Sequence, residues 1–189
     1  ERAFNEKLKQ YHKKISFKEG KFGGVPTEQI LEDIFEQQVP KDLSNDIKNN
    51  TKEIFAKKTP QLLPGVKEFL EMHKNNYTYA ICSGSPKETI IHFLQELHID
   101  SYFSVILSGD EVAHPKPAPD IWLTAANMLN VEPKNCIVFE DALSGMLGGK
   151  KAGMKVIAIN TQKTNYPADI YVPSFEHIQP KDLEKLFIA

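Results

Sequence analysis

The sequence predicts an α/β fold: a Rossmann-like parallel sheet with helices on both faces, preceded by a small helical unit. Three observations carry this. Beyond residue 76, short apolar β-runs alternate with helical patterns of about 10–13 residues, the pattern of βαβ units and a sheet covered on both faces. Before residue 76 no convincing strand occurs, and apolar residues recur at helical spacing. At roughly 150 residues per domain, a chain of 189 residues accommodates one core and a smaller partner.

In residues 1–59, Phe4, Leu8, Tyr11 and Ile15 recur every three or four positions and predict one helical stripe. A loop with Gly20, Gly23, Gly24 and Pro26 comes next. Ile30, Leu31, Ile34 and Phe35 mark a second helix, with Thr27 as its N-cap and Pro40 beyond its end. Ile47, Thr51, Ile54 and Phe55 mark a third, heavily charged helix that stops before Lys57-Lys58-Thr59-Pro60. In residues 60–189, Pro64-Gly65 is expected to open a helix carrying Val66, Phe69 and Leu70, since proline is tolerated in a first turn. Strands are expected over Tyr77–Cys82, Ser104–Leu107, Cys136–Phe139, Lys155–Ile159 and Ile170–Val172. Helices are expected over Pro86–Leu97, Ala118–Leu129 and Ala142–Ala152, and near Asp182–Phe187.

Composition narrows the class of function. Hydrophobic residues make up 41% of the chain, too many for disorder. Lys and Arg number 23 against 25 Asp and Glu, a net charge of −2, so no basic surplus points to nucleic acid or anionic lipid. No run approaches the roughly 18 apolar residues of a membrane span. Cys82 and Cys136 sit inside apolar runs and read as buried free thiols, which suits a cytoplasmic protein. The chain opens on Glu1, already inside a helical pattern, and a native N-terminal segment is expected ahead of it.

In an open parallel sheet, ligands bind beyond the carboxyl ends of the strands. The apolar runs end there in Ser83-Gly84-Ser85-Pro86, Ser108-Gly109-Asp110-Glu111, Glu140-Asp141 and Asn160-Thr161, all predicted on one rim. Ser83 and Gly84, ahead of a helix N-terminus, suit an oxyanion such as phosphate, and read equally as a serine N-cap before proline. Ile81 stands where a nucleophile elbow needs its first glycine. Glu140 and Asp141 would repel each other unless a hard cation such as Mg²⁺ lay between them, and they also read as an acidic helix start. Ser144 and Gly145 fall in that helix's first turns, where small residues permit close packing. Lys116, fixed between Pro115 and Pro117, could neutralise a phosphate oxygen or simply be solvated in a proline-rich loop. His114 reads as a loop residue, and Cys82 as core on the sheet face opposite Ser83.

These segments resemble the motifs of the haloacid dehalogenase-like (HAD) hydrolase superfamily, in its β-phosphoglucomutase-like and phosphoglycolate-phosphatase-like branch. Ile81-Cys82-Ser83-Gly84-Ser85 matches motif two, Lys116-Pro117-Ala118-Pro119-Asp120 the motif-three lysine region, and Val138-Phe139-Glu140-Asp141-Ala142-Leu143-Ser144-Gly145 motif four. Ala152-Gly153-Met154 is typical of the family's chain just after motif four. The resemblance implies a Mg²⁺-dependent phosphomonoester hydrolase acting on a small phosphorylated metabolite through an aspartyl-phosphate. It assigns Ser83, Gly84 and Lys116 to the phosphoryl group, with Ser83 and Lys116 catalytic, and Glu140 and Asp141 to the metal. It makes residues 1–59 a helical cap, where Lys21, Phe22, Gly23 and Gly24 are the expected substrate contacts.

Motif one, D-x-D-G-x-x-x-D-S in the family, is absent from the sequence. The resemblance places it, with the nucleophilic aspartate and the acid/base aspartate, in a segment of about 20 residues ahead of Glu1. The chain alone is then expected to be inactive. Sugar-phosphate mutases of this branch carry an arginine near the start of the cap helix; Pro26, Thr27 and Glu28 offer none, which favours a phosphatase over a mutase. A catalytically inert phosphate-binding module or fragment is the other alternative. A monomer is favoured, with neither nucleic acid nor membrane as partner.

Overall fold

A computed structural model of the chain describes residues 1–16, 27–35, 38–56, 59–159 and 165–187, without the side chains of residues 52, 55 and 56. The chain divides into two compact units, Glu1–Thr59 and Pro60–Ala189. Lys21, Phe22, Gly23 and Gly24 lie outside the described residues, as do Asn160 and Thr161.

The first unit contains α1 (Arg2–Leu8), α2 (Thr27–Ile34) and α3 (Leu43–Ala56). Its core gathers Phe4, Leu8, Ile15, Ile30, Leu31, Leu43 and Ile47. The single helical stripe expected through Ile15 does not form. α1 ends at Leu8, a 3₁₀ turn spans Lys9–Tyr11, and the backbone reverses at His12, which is left-handed with φ 54°. Ile15 still reaches the core because the Asn5 amide pairs with both of its backbone groups, donating to Ile15 O and accepting from Ile15 N, each at 2.8 Å. A side-chain amide substitutes there for another turn of helix.

The second unit runs α4 (Val66–His73), β1 (Tyr79–Ser83), α5 (Lys87–Glu96), β2 (Phe103–Ser108), α6 (Asp120–Met128), β3 (Ile137–Glu140), α7 (Leu143–Lys151), β4 (Lys155–Ile159), β5 (Ile170–Val172) and α8 (Pro180–Lys185). α4 begins one residue after Gly65 and leaves Pro64 outside. Gly65 has φ 82°, and a Cβ on it would lie 2.4 Å from Glu176 N, so the turn admits only glycine. β1 begins at Tyr79 and not at Tyr77.

All strand pairs are parallel, and the pairing falls into two pieces: β1 with β2, and β3 with β4 and β5. Among the described residues, β1 and β3 each keep one edge unpaired. Alternation along the strands builds the two faces. Val105, Leu107, Val138, Val156 and Ala158 join Ile121, Trp122, Ala125 and Ala126 of α6 and Met146 of α7 in one core, with Ala80 and Cys82 packed against it. On the other face, Ile157 and Ile159 meet Phe69 and Leu183, while Ile81 packs with Leu70, Ile90 and Leu94. One core therefore spans both pieces of the sheet. Among the described residues no helix is long and apolar enough to cross a membrane.

Candidate active site

The carboxyl ends of β1, β2 and β3 set the site. Ser83 is the last residue of β1 and pairs with Ser108, the last of β2. Its Oγ accepts from Ser85 N at 3.1 Å, which curls the chain over Gly84. Ser108, 1% exposed, donates from Oγ to Ser85 O at 2.9 Å and so ties this curl to β2. The two loops run side by side here: a Cβ on Gly109 would lie 3.4 Å from Gly84 Cα, an ordinary contact distance.

Lys116 comes from the loop ahead of α6, and the structure brings it to the rim. Its Nζ donates to Glu140 Oε2 at 2.8 Å and to Cys82 O at 3.2 Å, spanning from the end of β1 to the end of β3. The ammonium also lies 4.3 Å from the centroid of the Trp122 ring. The lysine and glutamate side chains are only 8% and 11% exposed, so this ion pair sits in low dielectric. Glu140 is further fixed by Asp141 N and Ala142 N, which donate to its Oε1 at 3.1 Å each. Gly145 gives that carboxylate its space, since a Cβ there would come within 1.9 Å of Glu140 Oε2.

Asp141 stands next to this pair. Loss of hydration, a hydrogen bond with Glu140 and the charge of Glu140 all push its carboxyl above the ordinary aspartate value. Asp141 as a residue remains exposed, so the group is crowded and still open to solvent. The donor chemistry fits a hard cation in part. Mg²⁺ commonly takes one or two carboxylates and completes its octahedron with phosphate oxygens and water, and a cation would relieve the repulsion at Asp141. Both oxygens of Glu140 already accept hydrogen bonds, which leaves Asp141 as the more available carboxylate. Among the described residues no group of three His, Cys, Asp or Glu side chains assembles a metal site.

Burial pushes the Cys82 thiol up to about 12, so it stays protonated at neutral pH. His114 is exposed, with Nδ1 2.8 Å from Asp120 Oδ1 at the start of α6. The structure thus assembles Ser83, Gly84, Lys116, Glu140 and Asp141 at one rim. It adds Trp122, which sequence reasoning missed, and gives a role to Ser108, which the sequence placed on the rim without one. Ser108 was visible only as a hydroxyl ending an apolar run. Trp122 falls in the apolar stripe of its helix and reads there as core.

The family model of haloacid dehalogenase-like hydrolases matches residues 1–159. The chain is a haloacid dehalogenase-like hydrolase. Within that family it belongs to subfamily IA, with the β-phosphoglucomutase-, phosphoglycolate phosphatase- and CbbY-like proteins. This HAD-like hydrolase is 34% identical to the phosphorylated carbohydrates phosphatase of Thermotoga maritima, over 71% of this chain and 64% of that protein. It is 32% identical to the β-phosphoglucomutase of Bacillus subtilis, over 91% of this chain and 74% of the relative. The alignment with the Thermotoga protein thus spans less than two thirds of that relative's length. Among solved structures, the β-phosphoglucomutase of Clostridium difficile superposes with a TM-score of 0.83 at 23% identity, covering 98% of this chain and 87% of the other. That likeness shows the HAD fold.

Proposed function

We propose that this HAD-like hydrolase is a Mg²⁺-dependent phosphatase of a small phosphorylated carbohydrate, working through an aspartyl-phosphate. The observation that carries the reading is the convergence of one buried ammonium, a hydroxyl-and-glycine turn and an open carboxylate on a single rim. The Thermotoga relative's activity on phosphorylated carbohydrates supports the substrate class.

Each group has a physical task. Ser83 Oγ and the Gly84 amide hold phosphoryl oxygens at the end of β1. Lys116, aimed across the rim, neutralises the charge that builds on those oxygens as the ester bond breaks. Glu140 holds that ammonium in place. Asp141, with Glu140 beside it, would hold the cation, which would offset the repulsion between phosphate and an anionic nucleophile. The reading needs an aspartate nucleophile delivered next to Ser83 and Lys116. The unpaired edges of β1 and β3 leave backbone groups with which a strand carrying one could pair.

The experiment is release of inorganic phosphate from a panel of sugar phosphates, with and without Mg²⁺, by this chain together with the segment that carries the aspartate nucleophile; the activity of every variant is read in that protein. Release that requires Mg²⁺ and disappears in Asp141→Asn supports the reading. Undiminished release by Asp141→Asn, or release in the presence of a chelator, overturns it.

A further inference from the structure

We propose that Trp122 is a positioning residue for Lys116, an inference that rests on the phosphoryl-transfer reading above. Three observations meet at this ring. The Lys116 ammonium lies 4.3 Å from its centroid, while two of the three Nζ–H donors are directed at Glu140 Oε2 and Cys82 O. An ammonium over an indole face is attracted by the ring quadrupole, most strongly for tryptophan among the aromatic residues. The ring is therefore a third, nondirectional partner that limits where Nζ can go without using a donor.

The ring itself is held. Trp122 is 8% exposed within the core built by α6 and α7. Gly148 of α7 faces it so closely that a Cβ there would lie 2.9 Å from Trp122 Nε1 and 3.1 Å from Cδ1. This contact fixes the plane on which the ammonium rests.

Tryptophan is an awkward choice for packing alone. Its Nε1 is buried without a hydrogen-bond partner among the described residues, a condition native proteins generally avoid. A phenylalanine would fill much of the same space with no orphaned donor. What tryptophan adds is the larger and more electron-rich face beneath the lysine.

The chain contains one tryptophan, so its emission reports this ring alone. Lys116→Met is expected to alter the emission intensity of the intact protein, because an ammonium is removed from the ring face. Lys74→Met is the control, as Lys74 is paired with Glu71 on α4. Emission of Lys116→Met identical to wild type overturns the contact. Calorimetric titration with inorganic phosphate in the presence of Mg²⁺ then tests the role. Lys116→Met is expected to abolish binding. Trp122→Leu should weaken it about tenfold, and Trp122→Phe, which keeps a ring, about threefold. A merely structural Trp122 would lower thermal stability yet leave the affinity of the folded protein unchanged. If Lys116→Met loses phosphate while both Trp122 variants bind as wild type, the positioning role is overturned and the phosphatase reading stands. If Lys116→Met binds as wild type, or the wild type binds no phosphate, both fall together.

Discussion

Two lysine–carboxylate pairs in the second unit have the same length and opposite characters. Lys116–Glu140 and Lys150–Asp169 both close at 2.8 Å. The first has side chains 8% and 11% exposed; the second, 38% and 25%. In the second pair Asp169 takes the lysine on both oxygens and also accepts Val156 N at 2.7 Å, strapping β4 to the chain ahead of β5. Its ions remain partly hydrated, so its net worth falls nearer the ~0–1 kcal/mol of surface pairs. Burying the first pair costs several kcal/mol per ion before attraction and hydrogen bonds offset it. Stability alone gives little reason to bury charge at a rim, where an apolar pair would serve as well. An ammonium held ready for an incoming anion gives one.

The comparison breaks first at Lys116. Lys116→Met leaves Glu140 buried without its cation and should destabilise the protein by about 3–5 kcal/mol, and phosphatase activity should disappear. Lys116→Met with Glu140→Gln should recover much of the stability and none of the activity. Chemical denaturation of the three proteins measures this. A single variant as stable as wild type would mean that the pair is not truly desolvated.

Gly145→Ala comes next. The added methyl must displace a carboxylate fixed by Lys116 and two amides, so a loss of about 1–3 kcal/mol is expected together with lower activity. Gly153→Ala separates space from conformation. Nothing lies within 4 Å of its Cβ position, and only its φ of 77° resists the change. It should cost about 1 kcal/mol and leave activity intact. Denaturation midpoints and phosphate release measured on both variants check this pair.

Asp141 gives a prediction with the opposite sign. Its folded-state pKa is raised above the ordinary 3.8, so ionisation opposes folding. The stability this group contributes is full below pH 3.8, declines as pH rises through the raised folded value, and is gone above it. Asp141→Asn should therefore raise the melting temperature at neutral pH without Mg²⁺, and make no difference in acid. Added Mg²⁺ should stabilise the wild type more than the variant. Melting curves with and without the ion check both statements.

Much of the fold was legible because its signals are local. The strand limits Lys155–Ile159 and Ile170–Val172 are set by apolar runs bounded by turn residues. The helix expected through Ile15 ends instead at a left-handed His12, and Ile15 keeps its place through the Asn5 amide acting across ten residues, which periodicity does not register. At the rim, the residue types at Ser83, Gly84, Lys116, Glu140 and Asp141 stand out because polar groups end apolar runs there. What joins them does not. The Lys116–Glu140 bond spans 24 residues of chain, and the ring under Lys116 is hidden by having an apolar helix position. Sequence displays which groups are chemically able; it does not display which of them touch.

The smallest expected effect lies in the exposed pair and completes the contrast. Partial burial pushes the Asp169 carboxyl up, but the hydrogen bond from Lys150, the N–H of Val156 and the nearby positive charge together hold it below the ordinary 3.8. A lowered folded-state pKa contributes stability that is present above pH 3.8 and is lost as pH falls through the folded value. Lys150→Met removes only the exposed partner and should cost under about 1 kcal/mol at pH 7, less still in high salt, with phosphatase activity unchanged. Asp169→Asn should cost somewhat more, because the Val156 N–H loses a charged acceptor, and its deficit should shrink as pH drops below 3.8. Melting curves of both variants across pH and salt make the check. A salt-insensitive loss at Lys150 as large as the loss at Lys116 would mean that solvent exposure does not separate the two pairs. The case for a functional reason behind the buried one would then lose its physical basis.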